Sequence, residues 1–327
     1  MKRIDLTIKL HATYARSAGM YASQIWSTPF IDPFSYSSTY VESNHSSVMR
    51  FLLGVRRSTC RRSLLHEVGQ MPFKFYWFRS VIKFWNDSIK SDNPLFRAIF
   101  LSDVSLAKRG HACWSKDLLS TLSAINIPPP IICASRLDAP TSLSPFNVPS
   151  VVKSYAYSLN NFWFSLSDNS EDIRSHDALN RRSLTYSHWF KEDVKPSIPA
   201  YFSMNNLSSE DVKRIARFRL GSHFLEIEKG LHCVPRVPWK NRICKRCASS
   251  KVDDALHLLQ ECSHFNNERR NLLFNNNHVF SCLNSKSLNP NLIADFNNPD
   301  LCRYISNCMS YIDKQSGGQV ETTPLAA

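Results

Sequence analysis

The chain has 327 residues, 43% of them hydrophobic and only eight of them glycine, so it is long enough for two globular domains and is not of low complexity. Forty Lys and Arg residues against 27 Asp and Glu residues give a formal net charge of +13. Such a balance suits a polyanionic partner, with nucleic acid as the first candidate and a solvated basic surface as the alternative.

The ten cysteines do not predict a disulfide-bonded secreted domain, because the chain is long and most of them are irregularly spaced. The basic start, MKRIDLTIKLHATYARSAGM, lacks the apolar core of a signal peptide. No apolar run reaches the ~18 to 20 residues needed to cross a bilayer. We therefore expect an intracellular protein, nuclear or cytoplasmic, with no membrane partner.

The N-terminal part of the chain is predicted to be helical. The predicted helices cover residues 46–54, 58–69, 72–89, 94–108 and 114–124. Gly54 and Gly69 stand where a glycine commonly ends a helix, and Pro72 suits a first turn. In the helix after Pro72, apolar and aromatic residues recur every three or four positions, which favours a buried core. A platform for stacking bases is the alternative reading of that aromatic row.

Residues 126–150 contain six prolines, a density that predicts a linker. A helical connector is predicted over 151–194, and a second unit begins near residue 195. There, Ser208 and Asp211 have the spacing of a capping box that starts a helix toward Gly221. Further helices are predicted over 265–274 and 301–312. The predicted fold class is mainly α, a helical N-terminal region followed by a small zinc-binding helical domain.

Four residues of the second unit have the spacing of a metal site, C-x2-C-x9-H-x4-C: Cys244, Cys247, His257 and Cys262. Two cysteines three positions apart form a tight turn whose thiolates converge, and a short helix can supply the other two ligands of tetrahedral Zn²⁺. Asp253 and Asp254 are predicted to begin that helix. The Cys3His set has no open position, which indicates a structural site. Three unrelated buried cysteines and a surface His are the alternative.

Basic residues concentrate just before the first cysteine pair, where Glu226 and Glu228 are the only acids between residues 213 and 246. The predicted contacts to nucleic-acid phosphates are Arg217, Arg219, Arg236, Lys240, Arg242, Lys245 and Arg246. Trp239 either stacks on an unpaired base or covers the zinc loop as a hydrophobic lid. A second basic cluster either extends this surface or is a solvated helix end, and it consists of Arg56, Arg57, Arg61 and Arg62.

The sequence shows no catalytic motif. The adjacent acids Asp253 and Asp254 lie inside the metal loop and not between apolar strand residues, so they do not form the acidic pair of a polymerase palm. No phosphate-binding glycine loop, G-x-S-x-G elbow or H-E-x-x-H motif is present. We expect no enzymatic activity from this chain on its own and no small-molecule substrate.

The zinc motif and the segment before it resemble the C-terminal part of non-LTR, LINE-type retrotransposon reverse transcriptases. The first matching features are a basic segment at Arg217 to Gly221 and a Pro-containing loop at Pro235 to Pro238. They are followed by an R-x-C-x-x-C turn at Arg242 to Cys247, an acidic D-x-x-H-x-L segment at Asp254 to Leu259 and a final E-C at Glu261-Cys262. Upstream, FLLGVRRSTC and MYASQIWSTPF are similar to strings that follow the polymerase domain in this family.

The resemblance implies zinc-dependent binding of RNA or other single-stranded nucleic acid, with the polymerase domain of a parent element as a further partner. The full-length family is an RNA-directed DNA polymerase, but its paired palm aspartates and its endonuclease are not in this sequence. A zinc-stabilised protein-interaction module and an inactive, decayed transposon copy are the alternative functions. The implied regions are a post-polymerase helical region at 1–125, a Pro-rich linker at 126–150 and a helical connector at 151–194. A zinc-binding domain at 195–313 and a disordered tail at 314–327 follow.

Overall fold

A computed structural model describes residues 3–35, 39–128, 131–132, 142–168, 196–275 and 298–317. Its α-helices, in chain order, are α1 Ile4–Met20, α2 Ser23–Trp26, α3 Tyr40–Leu53, α4 Arg61–Glu67, α5 Phe73–Lys90, α6 Pro94–Lys108, α7 Trp114–Ala124, α8 Val148–Asp168, α9 Ser209–Arg219, α10 Glu226–His232, α11 Asn266–Asn275 and α12 Pro299–Gln315. Two short strands, β1 Ile131–Ile132 and β2 Ser142–Leu143, pair antiparallel with Ile131 opposite Leu143. The fold is therefore mainly α, as predicted. Among the described residues, no helix has both the length and the apolar character needed to span a bilayer.

The helices predicted in the first part of the chain are present. α6 and α7 have the predicted bounds, and α5 begins directly after Pro72. α3 begins earlier than predicted, at Tyr40. Gly69 follows α4 with a φ of +66°, and a Cβ built on it would lie 2.7 Å from the backbone nitrogen of Ile198. Only glycine fits there, because the backbone conformation and the close approach both exclude a side chain.

The Pro-rich stretch 126–150 contains regular structure in two of its three described parts, 131–132 and 142–150. β1 and β2 lie within it, and α8 begins at Val148. The side chain of Asn147 accepts a hydrogen bond from Ser150 N at 3.2 Å, and Pro149 occupies the first turn, where a helix requires no N–H donor. Residues 169–194 of the predicted connector and 318–327 of the predicted tail lie outside the described residues.

Two compact units make up the chain. Unit 1 contains the described residues of Met1–His11, Ser46–Gln70 and Leu166–Ala327, and unit 2 contains those of Ala12–His45 and Met71–Ser165. In unit 2, Trp77 and Trp85 are fully buried, and the ring of Phe78 stacks on that of Tyr155 with centroids 4.0 Å apart. The aromatic row of α5 is thus a helix core and not a stacking platform.

Unit 1 has its own hydrophobic core, and the predicted metal motif is part of it. α3, α4, α9 and α12 contribute the buried residues Met49, Leu53, Leu64, Val212, Ile215, Phe218, Leu301, Ile305 and Met309. From the metal motif, Cys244, Leu258, Leu259 and Cys262 are buried in the same core. The capping box predicted at the start of α9 is present, since Ser208 and Asp211 exchange side chain to backbone hydrogen bonds.

Candidate metal centre

The first cysteine pair lies at the end of a backbone turn that hydrogen bonds close. Ile243 and Val252 form an isolated antiparallel bridge, and Cys244 N donates to Lys251 O at 2.8 Å. One step further along, Asp253 N donates to Arg242 O at 2.8 Å. Residues 244–251 double back between these bonds. The x2 spacing therefore brings the thiols of Cys244 and Cys247 to the same end of the turn, as predicted.

The second ligand pair comes from a π turn, His257–Glu261. Asp254 begins the helical turn that leads into it, because its carboxylate accepts a hydrogen bond from His257 N at 2.8 Å, as predicted. Asp253, which was predicted to share this role, instead accepts a hydrogen bond from Glu226 N at 2.8 Å. Cys262 N donates to His257 O, five residues earlier, at 2.7 Å. Residues five apart in an α-helix differ by about 140° around the axis, whereas the wider π turn brings them to one side. Because of this turn, the x4 spacing places His257 and Cys262 on the same side of the backbone.

The end of the π turn leaves backbone carbonyl groups that no further helical turn satisfies, and two side chains bind them. Arg269, in α11, donates to Leu259 O at 2.9 Å and to Cys262 O at 2.8 Å. Tyr304, in α12, donates to Leu258 O at 3.1 Å. Buried carbonyl groups need such partners, so these two helices fix the π turn in unit 1.

The four predicted ligand residues meet at one point. The ligand atoms of Cys244, Cys247, His257 and Cys262 all lie within 4.8 Å of one another. Cys244 Sγ is 3.9 Å from Cys262 Sγ, and Cys247 Sγ is 3.3 Å from His257 Nε2. A tetrahedral site with metal–sulfur bonds of ~2.3 Å and metal–nitrogen bonds of ~2.0 Å has S–S edges of about 3.8 Å and S–N edges of about 3.5 Å. The cluster could therefore hold one metal ion.

A carboxylate orients the imidazole of the cluster. Glu261 Oε2 lies 3.4 Å from His257 Nδ1, which leaves Nε2 to face the thiols, and Lys251 Nζ lies 3.0 Å from Glu261 Oε1. Such a partner fixes the orientation of the imidazole ring and the nitrogen that it turns toward the thiols. This role of Glu261 was not predicted, although its spacing of four residues from His257 is a signal for it in the sequence.

The three thiols differ in their surroundings. Burial raises the pKa of Cys244 to about 12 and also raises the pKa of Cys262. Burial acts in the same direction on Cys247, but hydrogen bonds from the hydroxyl and backbone of Ser249 and from His257 lower the pKa of that thiol to about 6. Cys247 is also the most exposed of the three. A bound cation favours the thiolate of all three, since thiolates and not thiols are metal ligands.

Several of the arginines predicted to contact phosphates are buried and bound to protein groups. Arg219 is 3% exposed and forms two hydrogen bonds with the carboxylate of Glu67, at 2.6 and 3.0 Å. Arg217 donates to Asp313 Oδ2 at 2.5 Å. Both side chains therefore act inside unit 1, where Arg219 links α9 to α4 and Arg217 links α9 to α12.

Arg242 and Arg246 also have partners within unit 1. The guanidinium of Arg242 donates to the carbonyl oxygens of Val237 and Ile227, each at 2.9 Å. Arg246 forms an ion pair with the fully buried carboxylate of Asp253. Both arginines therefore brace the segment that precedes and includes the first cysteine pair. No local pattern in the sequence indicated either arrangement.

The remaining predicted contacts lie on the protein surface, in residues 233–245, which we call the basic loop. Arg236 and Lys240 are exposed, and the indole of Trp239 is 45% exposed. The Lys245 side chain is 75% exposed and forms a surface ion pair with Glu226 at 2.9 Å. Val237 N donates to Gly230 O at 3.1 Å, and Arg242 holds the inner side of the loop. The basic loop thus presents cations and one aromatic face on a braced backbone.

No family model, curated protein or solved structure matches the chain. The four ligand residues and the exposed side chains of the basic loop are therefore the features from which a function can be inferred.

Proposed function

We propose that this chain binds single-stranded nucleic acid, RNA in the first place, through the basic loop, and that Zn²⁺ in the Cys3His cluster holds that loop in place. The observation that carries the proposal is the direct continuity of the two features. Arg236, Trp239 and Lys240 are exposed in a loop that runs into Cys244, the first ligand residue. A metal-held loop with cations and an aromatic face suits a backbone of phosphates with unstacked bases.

Zinc is the metal that the donor set suits best. Three thiolates and one imidazole in a tetrahedral arrangement are typical of structural zinc sites, and soft sulfur donors disfavour Mg²⁺ and Ca²⁺. When bound, the ion supplies a crosslink between the first cysteine pair and the π turn. The protein's own groups do the positioning, with Asp254 at the start of the π turn and Glu261 on the imidazole.

In this proposal the predicted basic residues divide into two groups. Arg236, Lys240 and Lys245 contact phosphates, and Trp239 stacks on a base. The other four arginines brace unit 1 and do not contact the ligand, since a phosphate contact would require them to leave carboxylates or carbonyls that they already bind. These are Arg217, Arg219, Arg242 and Arg246.

The sequence resemblance supports a specific origin for such a module, namely the C-terminal region of a non-LTR retrotransposon reverse transcriptase. We propose that this chain supplies binding and that a polymerase domain of the parent element supplies the chemistry. An intracellular location, nuclear or cytoplasmic, fits this role. The competing function is a zinc-stabilised protein-interaction module, which has the same metal site and no affinity for RNA.

Binding of a fluorescent 20-nucleotide single-stranded RNA by the purified, zinc-loaded chain tests the proposal. The double variant Arg236→Ala/Lys240→Ala is expected to bind at least about tenfold more weakly, with the slope of log K against log salt reduced by about 1.4, or ~0.7 for each lost phosphate contact. Trp239→Ala is expected to lose about fivefold to 150-fold in affinity with an unchanged salt slope, because stacking carries no charge.

The matched control is Arg79→Ala/Lys83→Ala, which removes the same two charges from the exposed side of α5 in unit 2. This variant is expected to bind RNA like the wild type. An equal loss of RNA affinity in the two double variants would show that only the net charge of the chain matters. It would contradict the basic loop as the RNA-binding surface. Absence of RNA binding by the zinc-loaded wild type at low salt would favour the protein-interaction module.

A further inference from the structure

A second group of arginines in unit 1 surrounds the turn between α3 and α4. Arg50 lies in the last turn of α3, Arg57 in the connecting segment and Arg61 at the start of α4. Arg50 reaches across the turn, where its guanidinium donates to Thr59 O at 3.2 Å. We call these three residues the arginine turn.

The charge of the arginine turn is not balanced by acids in the described part of the chain. There, no carboxylate lies within 4 Å of the guanidinium groups of Arg50, Arg57 or Arg61. The Nε of Arg50 is buried and has no hydrogen-bond partner among the described residues. Burial, with the nearby charges of Arg61 and Arg57, lowers the pKa of the Arg50 guanidinium below its usual value. The positive charges of Arg57 and Arg61 therefore act unfavourably on the half-buried guanidinium of Arg50.

Three other arginines of unit 1, buried or half-buried, each have a carboxylate partner, whereas the buried Arg242 is bound to carbonyl oxygens. Arg219 has Glu67, Arg217 has Asp313 and Arg246 has Asp253. A partly buried cation without a counter-ion is costly, and removing its partner from a buried pair costs several kcal/mol in general. Within the described part of the chain the arginine turn has no such carboxylate, and the buried Nε of Arg50 has no carbonyl partner either, so a bound anion would supply the missing counter-charge.

The side chains of the arginine turn favour phosphate as the bound anion. Arginine forks bind the oxygens of a phosphate in pairs, and several arginines around one anion are typical of phosphate recognition. Arg57 is exposed, and Arg50 and Arg61 are half-buried, so the group is reachable from solvent. We propose that the arginine turn binds a phosphate group, either a phosphodiester of a nucleic-acid backbone or a free phosphate.

The turn is fixed within the unit that carries the basic loop. Arg56 N donates to the hydroxyl of Ser222 at 2.8 Å, and the Arg56 guanidinium donates to His223 O at 3.1 Å and lies 5.0 Å from the ring centroid of Phe224. Residues 222–224 lead into α10 and then into the basic loop. A phosphodiester as the bound group rests on the proposed function, whereas a free phosphate does not.

Two titrations of the full, zinc-loaded chain test the proposal with the variant Arg57→Ala/Arg61→Ala. In the first, the ³¹P NMR linewidth of inorganic phosphate follows its binding. In the second, the same 20-nucleotide RNA is bound at several salt concentrations. We expect the variant to bind inorganic phosphate at least about tenfold more weakly, while Arg79→Ala/Lys83→Ala binds it like the wild type. We also expect a higher melting temperature for the arginine-turn variant in phosphate-free buffer, because the repulsion is relieved.

The RNA titration identifies the source of the phosphate. A weaker RNA affinity and a salt slope reduced by about 1.4 assign the turn to a nucleic-acid backbone, whereas unchanged RNA binding beside weakened phosphate binding assigns it to a free phosphate. Phosphate and RNA binding that both match the control overturn the proposal. The variant Arg236→Ala/Lys240→Ala reports on the basic loop separately, so a wild-type chain that binds no RNA refutes the proposed function and leaves the phosphate titration to decide the arginine turn.

Discussion

At the scale of single residues, His223 is a buried base held among positive charges. It is 4% exposed, and its Nδ1 accepts a hydrogen bond from Leu225 N at 3.4 Å. Burial first, and then the charges of Arg56, Arg217 and Arg246, lower the pKa of His223 to about 3. The imidazole is therefore neutral in the folded protein at pH values where the same residue in an unfolded chain takes up a proton.

This difference predicts a loss of stability in acid. Because the folded-state pKa lies below the unfolded value of ~6.5, protonation favours the unfolded state, and the contribution of His223 is lost as the pH falls from about 6.5 toward 3. The slope for one such group is at most about 1.4 kcal/mol per pH unit. His223→Asn, which does not titrate, is expected to show a shallower fall in the free energy of unfolding between pH 6.5 and 4.5.

Urea unfolding of the zinc-loaded wild type and His223→Asn at several pH values measures this slope. Both proteins carry the same metal ligands, so effects of acid on the metal site cancel in the difference. Parallel stability curves for the two proteins would mean that His223 titrates normally in the folded chain.

At this scale, the metal cluster could be predicted from the sequence, but the roles of the arginines could not. The cluster of four candidate ligand residues was predicted because their spacing is local and specific. The arginines of α9 were not, because their partners are distant: Arg219 and Glu67 are 152 residues apart, and Arg217 and Asp313 are 96 apart. A local count of basic and acidic residues cannot detect such pairs, so the basic residues between 213 and 246 looked more uniform in role than they are.

At the scale of elements, α10 and the basic loop meet where Arg242 crosses Gly230. A Cβ built on Gly230 would lie 2.7 Å from Cγ, Cδ and Nε of Arg242. That side chain is fixed along its length by its hydrogen bonds to Val237 and Ile227, so it cannot move away without releasing the loop. The absence of a side chain at Gly230 is thus a packing requirement of the basic loop.

Gly230→Ala is therefore expected to destabilise unit 1, by about 1–3 kcal/mol as for other overpacked sites, although alanine is the better helix former by about 1 kcal/mol. RNA affinity is expected to fall with it, because the loop loses its brace. Urea unfolding and RNA binding measure the two effects. The control Lys229→Ala lies in the same helix and is expected to change stability by less than about 0.5 kcal/mol. A stability of Gly230→Ala equal to or above that of the wild type would contradict the packing argument.

Elements with strong local patterns were predicted well. The proline before α5, the apolar periodicity of α5 and the capping box of α9 all act within a few residues. α1 was missed, although Ile4, Ile8 and Ala12 recur at four-residue intervals and are buried. The π turn could not be predicted, because Arg269 and Tyr304, which stabilise its end, come from later helices.

At the scale of the whole molecule, the metal cluster belongs to the core of only one unit. Cys244 and Cys262 are buried with Leu258 and Leu259 in the core of unit 1, whereas unit 2 buries its own aromatic cluster around Trp77 and Trp85. Loss of the metal should therefore act beyond the turn that holds it and should spread through α9 and α12. It should not reach the helices of unit 2, whose core contains none of the ligands.

Cys247→Ser tests this expectation, because serine is close to cysteine in size and Cys247 is a half-buried residue of the candidate metal cluster. We expect the variant to lose zinc, to lose hydrogen-exchange protection over residues 235–265 and to show weaker protection in α9 and α12, while α5 to α7 exchange as in the wild type. Cys233→Ser is the matched control, since Cys233 is exposed and outside the cluster. Metal analysis and hydrogen-exchange mass spectrometry give both readouts. Equal zinc content in wild type and Cys247→Ser would refute the metal assignment, and equal loss of protection in α5 would refute the independence of unit 2.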